Sequence, residues 1–262
     1  MRMLLASHYW RARAFEKSLE ELDLILSRGT AESIGPVLIL RTHNWRGHIF
    51  VSRGDHRMAF KDYQQGLQLA RALAAKDPDD MDAMLDRDIL LGLSAIEEAR
   101  LGDPQRGLKD LNSALISIEQ MFATNPEPFY QRILLVGYSF RGEILSMLGD
   151  QTAARADLSR SLSIAEDFAK KDAADLDSLL QMARANSSLG VLWARSSGLS
   201  EASGAFSKSL AVAHQLLAVR PGDAEAKYLE GFIKNQISVL ARCSETAPCG
   251  EVRQLQFPSL IE

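Results

Sequence analysis

The sequence predicts an all-α fold, a solenoid of antiparallel helix pairs with about nine to ten helices. Three observations predict it. Large apolar residues recur at a nearly constant interval of 47 or 48 residues. Glycine and proline punctuation keeps the same beat. The stretches between are rich in Ala, Leu, Arg, Glu and Gln, while runs of Val, Ile and Thr are scarce, which favours helix over strand.

The beat is carried by columns of equivalent positions. Phe15, Tyr63, Leu111, Leu158 and Phe206 stand 48, 48, 47 and 48 residues apart, and four residues beyond each lies Leu19, Leu67, Leu115, Leu162 or Leu210. Ser18, Gly66, Ala114, Ser161 and Ser209 precede these leucines, all small. A second small column runs through Ala59, Gly107, Ala154 and Ala202, and a third through Gly47, Ala95, Gly142 and Gly190. Small residues at fixed positions on amphipathic segments mark places where a neighbouring helix comes close. Within one segment, Ala59, Phe60, Tyr63, Gly66, Leu67, Ala70 and Leu73 form the buried stripe, leaving Lys61, Asp62, Gln64, Gln65 and Gln68 to water. The segment from Ala153 reads alike, with Arg155, Asp157 and Arg160 off the stripe.

Turns keep the same register. Gly54-Asp55, Gly102-Asp103 and Gly149-Asp150 fit short turns between two helices, with Ser197-Gly198 displaced by one residue. Asp77-Pro78, Asn125-Pro126 and Arg220-Pro221 separate one pair from the next, each proline expected in a helix's first turn after a capping residue; Lys171-Asp172-Ala173 fills the remaining slot. Each helix is then about 20 to 23 residues and about 33 Å long. The expected organisation is a single solenoid over 1–242, with pairs near 31–77, 79–125, 126–172 and 173–220. A partial first repeat covers 1–28, a capping helix 223–242, and a flexible tail 243–262.

These residues resemble the tetratricopeptide repeat. Its order of a small residue in the first helix, another twelve later, an aromatic or large apolar residue four on, and a small residue three on is met four times. The sets are Gly47, Ala59, Tyr63, Gly66; Ala95, Gly107, Leu111, Ala114; Gly142, Ala154, Leu158, Ser161; and Gly190, Ala202, Phe206, Ser209. Leu189-Gly190 with Trp193 is similar to the family's first-helix signature. The resemblance covers about residues 8–242 and departs in two ways. The family unit is about 34 residues, so about two helical turns are added to each helix. The family's early tryptophan is replaced by His43, Leu91, Tyr138 and Asn186. Long repeats ending in Leu240-Ala241-Arg242-Cys243 look similar to arrays that follow the kinase domain in some bacterial serine/threonine kinases, although the sequence carries no Gly-rich phosphate loop, HRD or DFG.

The resemblance implies a right-handed superhelix whose first helices line a concave groove. The groove-facing candidates are Arg41, Asn44, His48, Ser139, Glu143, Arg184, Ser187, Arg195, Asn235 and Gln236, polar groups suited to a peptide backbone or carboxylate. Gly47, Ala59, Tyr63, Ala95, Gly107, Leu111, Gly142, Ala154, Leu158, Gly190, Ala202 and Phe206 are the repeat-packing residues. The partner is a protein or peptide, with self-association through the incomplete first repeat as a further expectation. The alternative is the sensor region of a bacterial kinase without its catalytic domain.

Other classes are disfavoured. A net charge of -4 with interleaved signs offers nothing to a polyphosphate, so nucleic acid is not expected. Val37 to Leu40 and Ile133 to Val136, the longest apolar stretches, are far below the roughly 20 residues a membrane helix needs. The start has only Met3 to Ala6 as an apolar block, so the plain reading is cytoplasmic, or extracytoplasmic if the array belongs to a membrane-anchored kinase. Cys243 and Cys249 lack neighbouring ligands for zinc and read as free thiols. His43, His48 and His56 lack metal spacing and read as structural, while His8 and His214 stand beside no nucleophile. Glu97-Glu98, Asp79, Asp80, Asp82 and Asp86-Arg87-Asp88 read as solvated carboxylates, Asp79 to Asp82 favoured by a helix N-terminus. No serine lies in a nucleophile elbow. No catalytic residue, metal or cofactor is expected. Trp193 reads as core, and Leu255, Phe257, Leu260 and Ile261 form an apolar patch able to dock on the groove or the last helix.

Overall fold

The computed structural model describes residues 1–28, 34–173, 175–196, 198–243, 252, 255, 257 and 258. Among them are eleven α-helices: α1 (Arg2–Arg11), α2 (Phe15–Arg28), α3 (Pro36–Ser52), α4 (His56–Lys76), α5 (Met81–Arg100), α6 (Pro104–Thr124), α7 (Pro128–Met147), α8 (Gln151–Lys171), α9 (Leu176–Arg195), α10 (Leu199–Val219) and α11 (Ala224–Ala241). There is no strand among the described residues. The count exceeds nine to ten because the first repeat has both helices in shortened form. α1 packs on α2, and the Ser18 hydroxyl donates to the Ala6 carbonyl at 2.7 Å. The expected pair start at 31 to 33, Ser197 of the displaced turn, and Cys249, Leu260 and Ile261 lie outside the described residues.

The chain gathers into two compact units, Met1–Ile133 and Leu134–Leu260, divided within α7. Sequential contact explains why one array can separate so: each repeat touches only its neighbours. In the first unit α1 to α6 pack in order, and in the second α8 to α11 do the same.

The Gly-Asp dipeptides do two jobs. Gly54, Gly102 and Gly149 have φ of 76°, 115° and 86°, a left-handed conformation that costs a glycine little. The following aspartate amides donate five residues back, to Phe50, Glu98 and Leu145 carbonyls at 2.8, 3.1 and 3.0 Å, which closes the first helix. The same aspartates then open the second helix, their carboxylates accepting from the amides of Met58, Arg106 and Ala153 at 3.1, 3.1 and 3.0 Å. Gly198 occupies the aspartate's place in the fourth turn, so α10 has no side-chain cap. Between pairs the expected register shifts slightly. Pro78 and Pro221 lie ahead of the N-caps, which are Asp80 and Asp223.

All twelve repeat-packing residues are buried. A Cβ added at Gly190 would lie 2.7 Å from the Phe206 ring, one at Gly142 2.8 Å from Leu158 Cγ, and one at Gly47 would overlap the Tyr63 ring. In the pair of α5 and α6 the glycine has changed helix, and a Cβ at Gly107 would lie 2.5 Å from the Ala95 carbonyl oxygen. Each full pair thus carries one glycine and one alanine at its crossing, in either order.

Candidate functional site

The groove candidates divide by burial. Ser139, Glu143, Arg184, Ser187 and Gln236 are buried, which corrects their assignment to an exposed face. Spacing from the small column fixes a direction around a helix and not what stands opposite it, and Ser139 and Arg184 each meet a side chain of another helix. Ser139 Oγ lies 2.7 Å from Ser161 Oγ across the α7–α8 contact. Arg184, 1% exposed, donates from Nη2 to Glu225 Oε1 at 2.7 Å, joining α9 to α11.

Arg41 and Asn235 remain exposed. Arg41 lies 3.7 Å from Asp86, whose carboxyl is pushed up by burial against the opposing pull of Arg41. Asn44 and His48 are half-buried. The His48 Nδ1 is 3.2 Å from the Tyr63 hydroxyl, and burial lowers its pKa to about 4 despite the nearby Glu97 carboxylate, which raises it. Trp10 and Trp45 meet edge to face at 5.5 Å, in the first unit. Trp193 is half-buried beneath Arg155, whose guanidinium carbon lies 4.4 Å from the ring centroid.

Several carboxylates expected in water are buried and paired. Glu97 is 1% exposed, 2.6 Å from His56 Nδ1 and 2.7 Å from Arg100 Nη1. Asp88 takes a two-pronged bond from Arg87 at 2.8 and 2.9 Å. Asp62 is 2.7 Å from His43 Nδ1 and 3.5 Å from Arg46 Nε, and Asp157 takes both Nε and Nη2 of Arg141 at 2.7 and 2.9 Å. These last two pairs stand at equivalent positions, an arginine just before the glycine column beside an aspartate just before the aromatic column, though only Arg141–Asp157 is hydrogen-bonded. The signal was present in Arg46, Asp62, Arg141 and Asp157, since both residues recur in register. His56–Glu97, the Asp62 contacts and Arg141–Asp157 tie helix to helix, while Arg87–Asp88 and Arg100–Glu97 lie within α5; these groups form no cluster of three metal ligands among the described residues.

Arg195 is the exposed candidate with a chain segment on it. Its Nη2 donates to the Leu255 backbone carbonyl at 2.7 Å, and its guanidinium carbon stands 5.0 Å from the Phe257 ring centroid. Val252 and Leu255 are buried in the core of the second unit, and Phe257 packs with Leu145 and Leu189 against Ala154, Leu158 and Leu192. The described residues of the expected flexible tail therefore pack on the helices, because their side chains are apolar. Cys243 is disulfide-bonded, correcting the free-thiol expectation; Cys249 is the other cysteine in the sequence. No helix among the described residues is long and apolar enough to cross a membrane.

Glycine-alanine crossings at a fixed period and Gly-Asp turns give the chain a tetratricopeptide-like helical-repeat fold. A thermophilic tetratricopeptide-repeat protein of Thermus thermophilus is similar over 87% of this chain and 97% of that one, with a TM-score of 0.51 at 20% identity. BtubC from P. vanneervenii is similar over 89% and 92%, with a TM-score of 0.48 at 16% identity. The fold assignment rests on the first of these. No family model and no curated protein matches the sequence.

Proposed function

We propose that this chain is a protein-interaction scaffold that receives a peptide or partner domain on exposed faces of its first helices and does no chemistry of its own. One observation carries the reading: Arg195, on α9, already holds a backbone carbonyl distant in sequence, at 2.7 Å. A main-chain contact of this kind is available to any extended peptide, and apolar pockets beside it supply selectivity. Arg41 and Asn235 offer further exposed polar groups on α3 and α11. The buried His56–Glu97 and His43–Asp62 pairs each join neighbouring helices, which supports a structural reading of these residues.

The test is capture of partners from the source cell's extract by the immobilised chain, compared with Arg41→Glu, Asn235→Lys and Arg195→Glu. Circular dichroism checks that each variant is folded, Arg195→Glu above all because Arg195 holds the Leu255 carbonyl, and one or more variants should reduce retention of a specific partner by at least about tenfold, since a lost charged contact is worth roughly 1.5 to 3 kcal/mol. Retention equal for the parent and all three variants refutes the groove. Arg184 is unsuitable for this purpose, because reversing a buried guanidinium would unfold its surroundings.

A further inference from the structure

Resting on the scaffold reading, we propose that the face of α9 around Arg195 is a slot for an extended peptide bearing a leucine-x-aromatic pattern, and that Leu255 and Phe257 of this chain are its resident ligand. Four features of the second unit support it. The guanidinium of Arg195 makes two kinds of contact at once, a hydrogen bond to the Leu255 carbonyl at 2.7 Å and a stacking contact over Phe257 at 5.0 Å. The first engages backbone and the second an aromatic ring, so together they favour a chain segment with an aromatic residue two places after the bonded carbonyl.

The apolar surroundings come from several elements. Leu145 at the end of α7, Leu189 and Leu192 on α9, and Ala154 and Leu158 on α8 make the patch that meets Phe257. Leu255, 2% exposed, enters the neighbouring cluster with Val191 and Ala194 of α9 and Leu240 of α11. Leu255 and Phe257 both pack on the helices, Leu255 wholly buried and Phe257 in part. Burial also pulls the Arg195 guanidinium below its ordinary value, with Glu143 opposing, as expected of a cation covered by an apolar occupant.

The last helix ends at Ala241, so Leu255 is tethered by fewer than twenty residues. A short tether gives an intramolecular ligand a local concentration on the order of millimolar. A free peptide of the same chemistry must compete with that, and its apparent affinity falls by the fraction of molecules whose slot is open. The occupant in trans is therefore a partner segment with the same leucine-x-aromatic pattern, admitted when it outcompetes or displaces the chain's own end.

A fluorescein-labelled peptide copying residues 251–259 and fluorescence anisotropy test this on the full 262-residue chain. Phe257→Ala, and Leu255→Asp combined with Phe257→Ala, should bind the peptide at least about tenfold more tightly than the parent, because the slot is vacated. Adding Arg195→Met to either should remove about tenfold of that affinity. Circular dichroism establishes that each variant is folded, and the milder Phe257→Ala carries the test if the double change unfolds. Released variants that bind no more tightly than the parent overturn the proposal. So does a concentration-dependent dimer of the released variant without peptide binding, which would make a second copy the occupant. Partner capture that still depends on Arg41 or Asn235 would then show the slot to be wrong and the scaffold reading sound.

Discussion

Replacing Gly190 with alanine puts one carbon where the structure has no room for it. The added Cβ would lie 2.7, 2.8 and 3.0 Å from three Phe206 ring atoms, and that ring is wholly buried. Overpacking a core costs about 1 to 3 kcal/mol, and three short contacts to a ring fixed by its neighbours place this site near the top of the range. Alanine returns about 1 kcal/mol of helix propensity, leaving a net loss of about 2 kcal/mol. The α5–α6 pair indicates how to undo it, since it carries alanine at the first position, glycine at the second and leucine in place of the aromatic: Ala95, Gly107 and Leu111. Gly190→Ala in a Phe206→Leu, Ala202→Gly background should therefore cost less than about 0.5 kcal/mol, a coupling of at least about 1.5 kcal/mol between neighbouring sites. Urea denaturation followed by circular dichroism measures all four corners of the cycle. Costs that add, with coupling below about 0.5 kcal/mol, would refute the glycine-for-alanine exchange as the rule of these crossings.

Removing Glu225 leaves the buried Arg184 guanidinium without its carboxylate, whereas Arg184→Met removes the charge itself. In urea denaturation Glu225→Ala should cost about 3 kcal/mol and Arg184→Met at most about 1 kcal/mol, since an unpaired buried charge is worse than none; equal costs would contradict this. His48 has its folded pKa depressed to about 4 from 6.5 by burial. The unfolded chain then binds more protons between those values, so stability is complete above pH 6.5 and falls as the pH drops toward 4, by up to about 3 kcal/mol. His48→Gln should flatten that slope in denaturation series at pH 4.5 and 7, and an unchanged slope would assign it elsewhere. Iodoacetamide should leave Cys243 unlabelled in the native chain until a reductant is added, as mass spectrometry of the peptide containing it would show; ready labelling would mean a free thiol.

Much of the architecture was legible because helix pairs advertise themselves through local chemistry. Gly54-Asp55, Gly102-Asp103 and Gly149-Asp150 end one helix and cap the next within two residues, so they can be read without any knowledge of what packs on them. The glycine and aromatic columns were legible for a related reason. Repetition shows a packing rule several times over, and Gly47–Tyr63, Gly142–Leu158 and Gly190–Phe206 are three instances of one contact. The candidate site was read less well. Ser139, Glu143, Arg184, Ser187 and Gln236 were assigned to a groove by their spacing from the small column, but spacing gives a direction on a helix and not what stands opposite it. The buried ties of Asp62 and Asp157 were misread as solvated for the same reason, even though their arginine partners recur in register.

The sequence by itself determined the class of fold, the period, the turns and the glycine crossings, all consequences of interactions within one helix or between chain neighbours. Only the tertiary structure decided which polar groups are covered and which can meet a partner. It alone joined Arg195 to Leu255, 60 residues away. Burial and pairing at such separations depend on how the long helices pack, and a periodic sequence pattern carries no record of what lies on the other side of a face.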